Sequence, residues 1–239
     1  MRRITLILWI IIVQIKVEAF DMNSFIGKAD AFMKKYVENG QVAYSNVKQD
    51  LADVENLYKE IGLTNLNAST QAEKKAFYIN AYNIIVIYSI AKHFPVNSPM
   101  DVKGFFDTIK HRVAGEMLTL NELEGKKLLQ PFKDGRLHLV LVCAAKSCPP
   151  LANYAYTPEK VEEQLTDRTV LALNNKDWIK VYPRLKKAEL PKIFEWYKDD
   201  FRPEGKTVLS WINQFRKEKI PPSYFLTHYD YDWSLNDKK

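Results

Sequence analysis

The chain has 239 residues, 46% of them apolar and 13% aromatic, with eight glycines and two cysteines. That composition excludes a disordered, collagen-like, low-complexity or disulfide-scaffold protein. The net charge of +6, from 35 bases set against 29 acids, is too mild and too mixed for a nucleic-acid surface.

Residues 1–19 have the three parts of a secretory signal peptide. Met1, Arg2 and Arg3 give a positive start, residues 4–13 are almost purely apolar, and Val17, Glu18 and Ala19 resemble a small-x-small cleavage site. Ten apolar residues are half the roughly 20 needed to span a bilayer, so cleavage is expected rather than anchoring. Losing Arg2, Arg3, Lys16 and Glu18 removes two units of charge and leaves +4 on the mature chain. The expected location is exported, either periplasmic or extracellular, with no membrane association after cleavage. Residues 20–239 show no linker, repeat or break in composition. They read as one helix-rich α+β domain, with a long buried central helix packed on a small β-sheet.

Apolar spacing predicts helices over 23–38 and 49–61, the first stopped by Asn39 and Gly40. A third helix is predicted over 71–93, capped by Ser69 or Thr70 and ended by Pro95. Its stretch 76–91 is apolar almost all round, as in a helix at the centre of a domain. Residues 97–118 read as loop and short strands around Gly104 and Gly115. Thr119 and Glu122 form a capping box that opens a short helix to residue 129. The Leu/Val run 136–143 predicts the best strand. Thr157 as cap and Pro158 at the first position start a helix to residue 174. A strand over 178–182, short helices over 191–200 and 206–217, and a Tyr/Trp-rich tail complete the chain. In that tail Tyr224, Tyr229, Tyr231 and Trp233 either pack onto the domain or form an interaction surface.

Three features carry candidate chemistry. Asn80 and Asn83 share one face of the central helix. A buried amide must be hydrogen-bonded, so they either tie the helix to loop backbone or orient a catalytic or ligand group. Cys143 and Cys148 follow the predicted strand, beside Lys146 and before Pro149 and Pro150. Three readings stand: a small disulfide loop, a buried Cys143 with an inert Cys148, or a reactive Cys148. A nucleophilic cysteine needs a base, and the chain offers His93, His111, His138 and His228. Strand alternation would put His138 and Cys143 on opposite faces, about 17 Å apart, which makes a direct Cys148–His138 pair awkward; His93 is the alternative base. Glu124, just past the capping box, is either solvated or functional. No phosphate loop, GxSxG, HExxH or calcium-loop spacing occurs, and no cofactor or metal is expected.

The blocks FYINAYN (77–83), HFPV (93–96), RVAGEMLTLNELEG (112–125), RLHLVLVCAAKSCPPL (136–151), AYTPEKVEEQL (155–165), KIFEWYKDDF (192–201) and YDWSLN (231–236) resemble domain-of-unknown-function family 547. That family occurs in bacteria, plants and animals and has no established activity. The resemblance falls on Asn80, Asn83, Glu124, His138, Cys148 and Pro149 and implies a site shared among them. Where this chain has Ala114-Gly115 the family often has two glycines, and where it has Gly125 the family often has histidine. Serine at the Cys148 position elsewhere in the family argues against a mandatory Cys143–Cys148 disulfide.

The expected function is thus a thiol-dependent hydrolase or transferase with a pocket at the end of the 136–143 strand. Cys148 would be nucleophile and His138 or His93 base, with Asn80 or Glu124 orienting that base and Asn83 in support. The alternatives are a non-enzymatic module binding a small molecule or peptide, with a structural Cys/His/Asn cluster, and a thiol–disulfide redox protein.

Overall fold

A helix that is apolar on every side has to be surrounded by the rest of its domain, and helix α4 (Gln71–His93) is. Every residue from Lys75 to Ala91 is buried. Thr70 and Glu73 close a full capping box at its start, and it ends before the Phe94–Pro95 peptide, which is cis. The computed structural model describes residues 21–238, so the segment expected to be a signal peptide lies outside the described residues.

Around α4 pack α1 (Met22–Tyr36), α2 (Tyr44–Gln49) and α3 (Leu51–Leu63). Between α1 and α2 the two-residue strands β1 (Val37–Glu38) and β2 (Gln41–Val42) form a hairpin. Its Gly40 sits at φ +81, and a Cβ there would lie 2.5 Å from the Cβ of Pro150; only glycine fits. A second hairpin joins β3 (His111–Val113) to β4 (Glu116–Leu118). Ala114 and Gly115 make its turn with φ of 47 and 84. Both positions demand a left-handed backbone, which accounts for glycine being suited to either.

After β4 the Thr119–Glu122 capping box forms as expected, opening α5 (Leu120–Glu122). The helix then widens into a π-helical turn (Leu123–Leu129) before α6 (Gln130–Phe132). The chain continues through α7 (Val161–Asn174), β5 (Lys180–Tyr182), β6 (Lys187–Pro191), α8 (Ile193–Trp196), α9 (Val208–Phe215) and β7 (Phe225–Tyr229). Strands β5, β6 and β7 form one sheet, antiparallel then parallel. This sheet, α9 and the end of α7 enclose a second apolar cluster that includes Trp178, Phe194 and Trp211. The fold class is α+β. The main packing partners of α4 are nonetheless α1, α2, α3, α7 and the π-helical turn, where a sheet was expected.

The expected strand over 136–143 is not a strand. Asp134 caps a 3₁₀ helix (Gly135–Leu139) by accepting from the Arg136 N–H, and the chain then runs as buried coil to Cys143. Among the described residues no strand lies alongside. The Asn83 side chain takes that place: its Nδ2 donates to the Val140 carbonyl at 2.9 Å and its Oδ1 accepts from the Val142 N–H at 3.0 Å. Asn80 does the same for Tyr156, donating to its carbonyl and accepting from its N–H, both at 2.8 Å. Each amide imitates the edge of a neighbouring strand and satisfies backbone groups that have no water to turn to. Helix α7 also starts later than expected, because Gln164 bonds the Thr157 N–H and the Ala155 carbonyl and holds that segment in a separate turn.

Replacing Asn83 with Ala leaves the Val140 carbonyl and Val142 N–H unpaired in a dry interior. The expected loss of unfolding free energy is about 2–4 kcal/mol, read from urea unfolding. A loss under about 0.5 kcal/mol, ordinary for a surface substitution, would contradict this role.

Candidate active site

Between the two apolar clusters lies a cavity of about 200 Å³. Helix α4 contributes Tyr82, the π-helical turn Glu124, the 3₁₀ helix His138, and α8 Trp196. The Cys143–Pro149 loop contributes both cysteines, and the C-terminal tail Tyr231 and Trp233. Tail residues 231–236 reach the site by pairing with the cysteine loop: Lys146 N–H donates to Ser234, Ser147 N–H to Asp232, and Asn236 N–H to Ala144. Tyr231 and Trp233 therefore pack onto the domain.

His138 is the electrostatic centre. Its Nε2 lies 2.8 Å from Asp200 and its Nδ1 3.5 Å from Glu124. Its ring stacks on Tyr197, with centroids 4.2 Å apart, and Phe201 lies tilted against it with centroids 5.3 Å apart. Burial by itself would push the imidazolium pKa down, but the two carboxylates outweigh it and hold the pKa above the ordinary histidine value. Asp200 is correspondingly held low by its bond to His138. Burial lifts the hydroxyl of Tyr197 to about 12, with Glu124 and Asp200 adding to the effect. Burial likewise holds the Tyr82 hydroxyl far above its ordinary range, and Glu124, its hydrogen-bond partner, raises it further. Both phenols thus stay protonated. Among the lining residues, only Glu124 and His138 carry charge.

Cys143 and Cys148 form a disulfide with Cα atoms 6.4 Å apart, well inside the usual range. In this state Cys148 has no thiol to deprotonate, so it is not the nucleophile expected from the sequence. The Cys148 sulfur accepts from the Cys143 N–H at 3.1 Å and from the Tyr231 hydroxyl at 3.2 Å. His138, placed on the opposite face from Cys143 by strand alternation, lines the same cavity, because there is no strand to alternate. It is not a free base, since both ring nitrogens face carboxylates. His93, the alternative base, is exposed at the end of α4 with Nδ1 2.8 Å from the Ser89 carbonyl, and it does not line the cavity. Asn80 and Asn83 do not orient His138 either; their amides are taken up by backbone. Glu124 alone of the proposed orienting residues faces the imidazole. The Gly125 position, histidine in much of the resembling family, opens onto empty space.

Asp200, Trp196 and Tyr197 are site residues that no single-residue argument found, and Tyr231 reads only as part of the aromatic tail. Their signal was present in the blocks KIFEWYKDDF and YDWSLN, but Asp200 reads there as part of a solvated charge run. Glu124 sits on a π-helical turn, a device common at functional sites and one that spacing alone does not reveal. Among the described residues no group of three or more His, Cys, Asp or Glu is arranged to hold a metal ion, and no helix is long and apolar enough to cross a membrane.

The His138 charge gives a signed pH dependence. Its folded pKa is raised, so the stability it contributes is complete below the unfolded value of about 6.5 and is lost as pH rises through the folded value. His138→Gln is expected to lower stability by about 1–3 kcal/mol at pH 6, allowing for the half-exposed Asp200. Denaturant titrations across pH should show the gap between wild type and variant narrowing above pH 6.5. A gap that widens there would contradict the charged assignment.

No curated protein and no solved structure matches the chain. The model of a family described as "Protein of unknown function, DUF547" matches residues 66–170. This stretch holds α4, Glu124, His138 and the disulfide, while Trp196, Asp200, Tyr231 and Trp233 lie beyond it. The matched segment builds one wall of the cavity and holds both of its charged residues.

Proposed function

We propose that the protein binds a small molecule in this cavity. The ligand lays an apolar face on Trp196 and Trp233 and directs hydrogen-bond donors, either hydroxyls or an ammonium, at Glu124. The observation that carries this reading is a carboxylate whose side chain is only 15% exposed, fixed by Tyr82 and His138 at the wall of an aromatic cavity. A carboxylate withdrawn from water is costly unless its oxygens are partnered, and a ligand donor would supply the partner that solvent otherwise gives. The volume of about 200 Å³ lies below the roughly 300–1,000 Å³ of pockets for drug-sized ligands. That favours a small molecule, or one peptide side chain, over an extended peptide.

A thiol-dependent hydrolase or transferase is the weaker reading, since the disulfide consumes the nucleophile and His138 has no free lone pair to act as base. The disulfide supports an oxidising compartment and so agrees with the proposed export to the periplasm or the outside medium.

Tryptophan fluorescence during titration with monosaccharides and small alkylammonium ions tests the proposal. At least one class is expected to give a saturable change, and Glu124→Gln to weaken it about tenfold or more, equivalent to ~1.4 kcal/mol. Equal affinity in the variant, or no response to either class, would overturn it.

A further inference from the structure

The disulfide is not buried out of reach. Both cysteines line the cavity, and they differ in ways that matter for exchange chemistry. Cys143 is partly exposed, whereas Cys148 is 7% exposed. The backbone N–H of Cys143 points at the Cys148 sulfur. The Tyr231 hydroxyl lies 3.0 Å from the Cys143 sulfur and 3.2 Å from that of Cys148. In thiol–disulfide exchange the sulfur that leaves is the one whose thiolate is better stabilised. The Tyr231 hydroxyl is shared between the two sulfurs, whereas the Cys143 N–H is given to Cys148 alone.

We propose that Cys143–Cys148 is a thiol-exchange site, where a small thiol entering the cavity attacks Cys143 and Cys148 leaves as a thiolate held by the Cys143 N–H and the Tyr231 hydroxyl. In the first step RS⁻ forms a bond to the Cys143 sulfur, the disulfide bond breaks, and its electron pair departs on Cys148. In the second, another RS⁻ attacks the outer sulfur of the mixed disulfide, releasing RSSR and the Cys143 thiolate. Two protons from solvent complete the dithiol. Two thiols are oxidised to one external disulfide, and the protein disulfide is reduced to two thiols.

Tyr231 suits this role because burial keeps its hydroxyl protonated well beyond the ordinary tyrosine range, so it remains a donor while the thiolate forms. The charged groups around the sulfurs are Glu124 and His138 on the cavity side. Lys146, Lys180, Asp177, Asp230 and Asp232 lie in a groove on the far side of Cys148. They mix both signs and oppose neither step as a set. The proposal does not rest on the ligand assigned to Glu124, so the probe is neutral 2-mercaptoethanol.

Folded, oxidised full-length protein is treated with 2-mercaptoethanol, quenched with iodoacetamide and peptide-mapped. The expected product carries the mixed disulfide on Cys143 and the alkyl group on Cys148. Tyr231→Phe is expected to slow exchange about tenfold and to raise the pH at which the Cys148 thiolate absorbs in the reduced protein, about one pKa unit. An adduct on Cys148, no adduct on the folded protein, or an unchanged rate in Tyr231→Phe would overturn the proposal. Should Tyr231→Phe not fold, Cys143→Ser decides: its lone Cys148 is expected to titrate below the ordinary thiol value of about 8.5, and titration at or above that value overturns it.

Discussion

The loop that carries the disulfide hangs from two amides on one helix. Asn83 pairs with the backbone of Val140 and Val142, and Asn80 with that of Tyr156. The polypeptide between those two anchor points contains the disulfide and both prolines. It has no regular structure of its own until α7, and it crosses a region where unpaired peptide groups would be expensive. By imitating a strand edge, each asparagine lets coil lie against an otherwise dry helix. The disulfide then shortens the loop from within, and the pairing of tail residues 231–236 with residues 144–147 closes it from outside.

The same arrangement explains where charge is tolerated. His138 leaves the cap set by Asp134 on a short 3₁₀ helix and meets Glu124 from the π-helical turn and Asp200 from beyond α8. Three chain segments far apart in sequence converge there. Tyr197 stacked on the ring and Phe201 tilted against it exclude water from the imidazole, and the carboxylates compensate for that loss of solvation. The result is an imidazolium that fixes a carboxylate, with aromatic walls around it, set beside a disulfide whose sulfurs already receive hydrogen bonds.

Much of this was legible in the residues. Helix α4 runs over the residues that apolar periodicity and the Thr70 cap indicate, and the Thr119–Glu122 box forms as written. Of the two readings open for Asn80 and Asn83, ties to loop backbone are what their hydrogen bonds form. The failure at 136–143 has a specific cause. A short Leu/Val run marks burial but does not distinguish a strand from buried coil or 3₁₀ helix, and the partner that would decide was a side chain. That error carried over to the distance argued between His138 and Cys143, which rested on alternation. Strands β6 and β7 were missed because Lys187, Glu189 and Pro191 obscure the first, and their parallel pairing joins residues nearly forty positions apart. Of the two open readings of the cysteines that denied a reactive thiol, the disulfide is the one formed.

The most direct test of this account is amide hydrogen exchange at Val142 and Tyr156, followed residue by residue in the native protein. Both N–H groups lie in coil, yet both donate to asparagine oxygens inside the core. The account predicts protection approaching that of the central α4 amides, with exchange governed by global unfolding. Exchange at the rate of exposed loop amides would show that the two asparagines do not hold the site, and the architecture built on them would have to be abandoned.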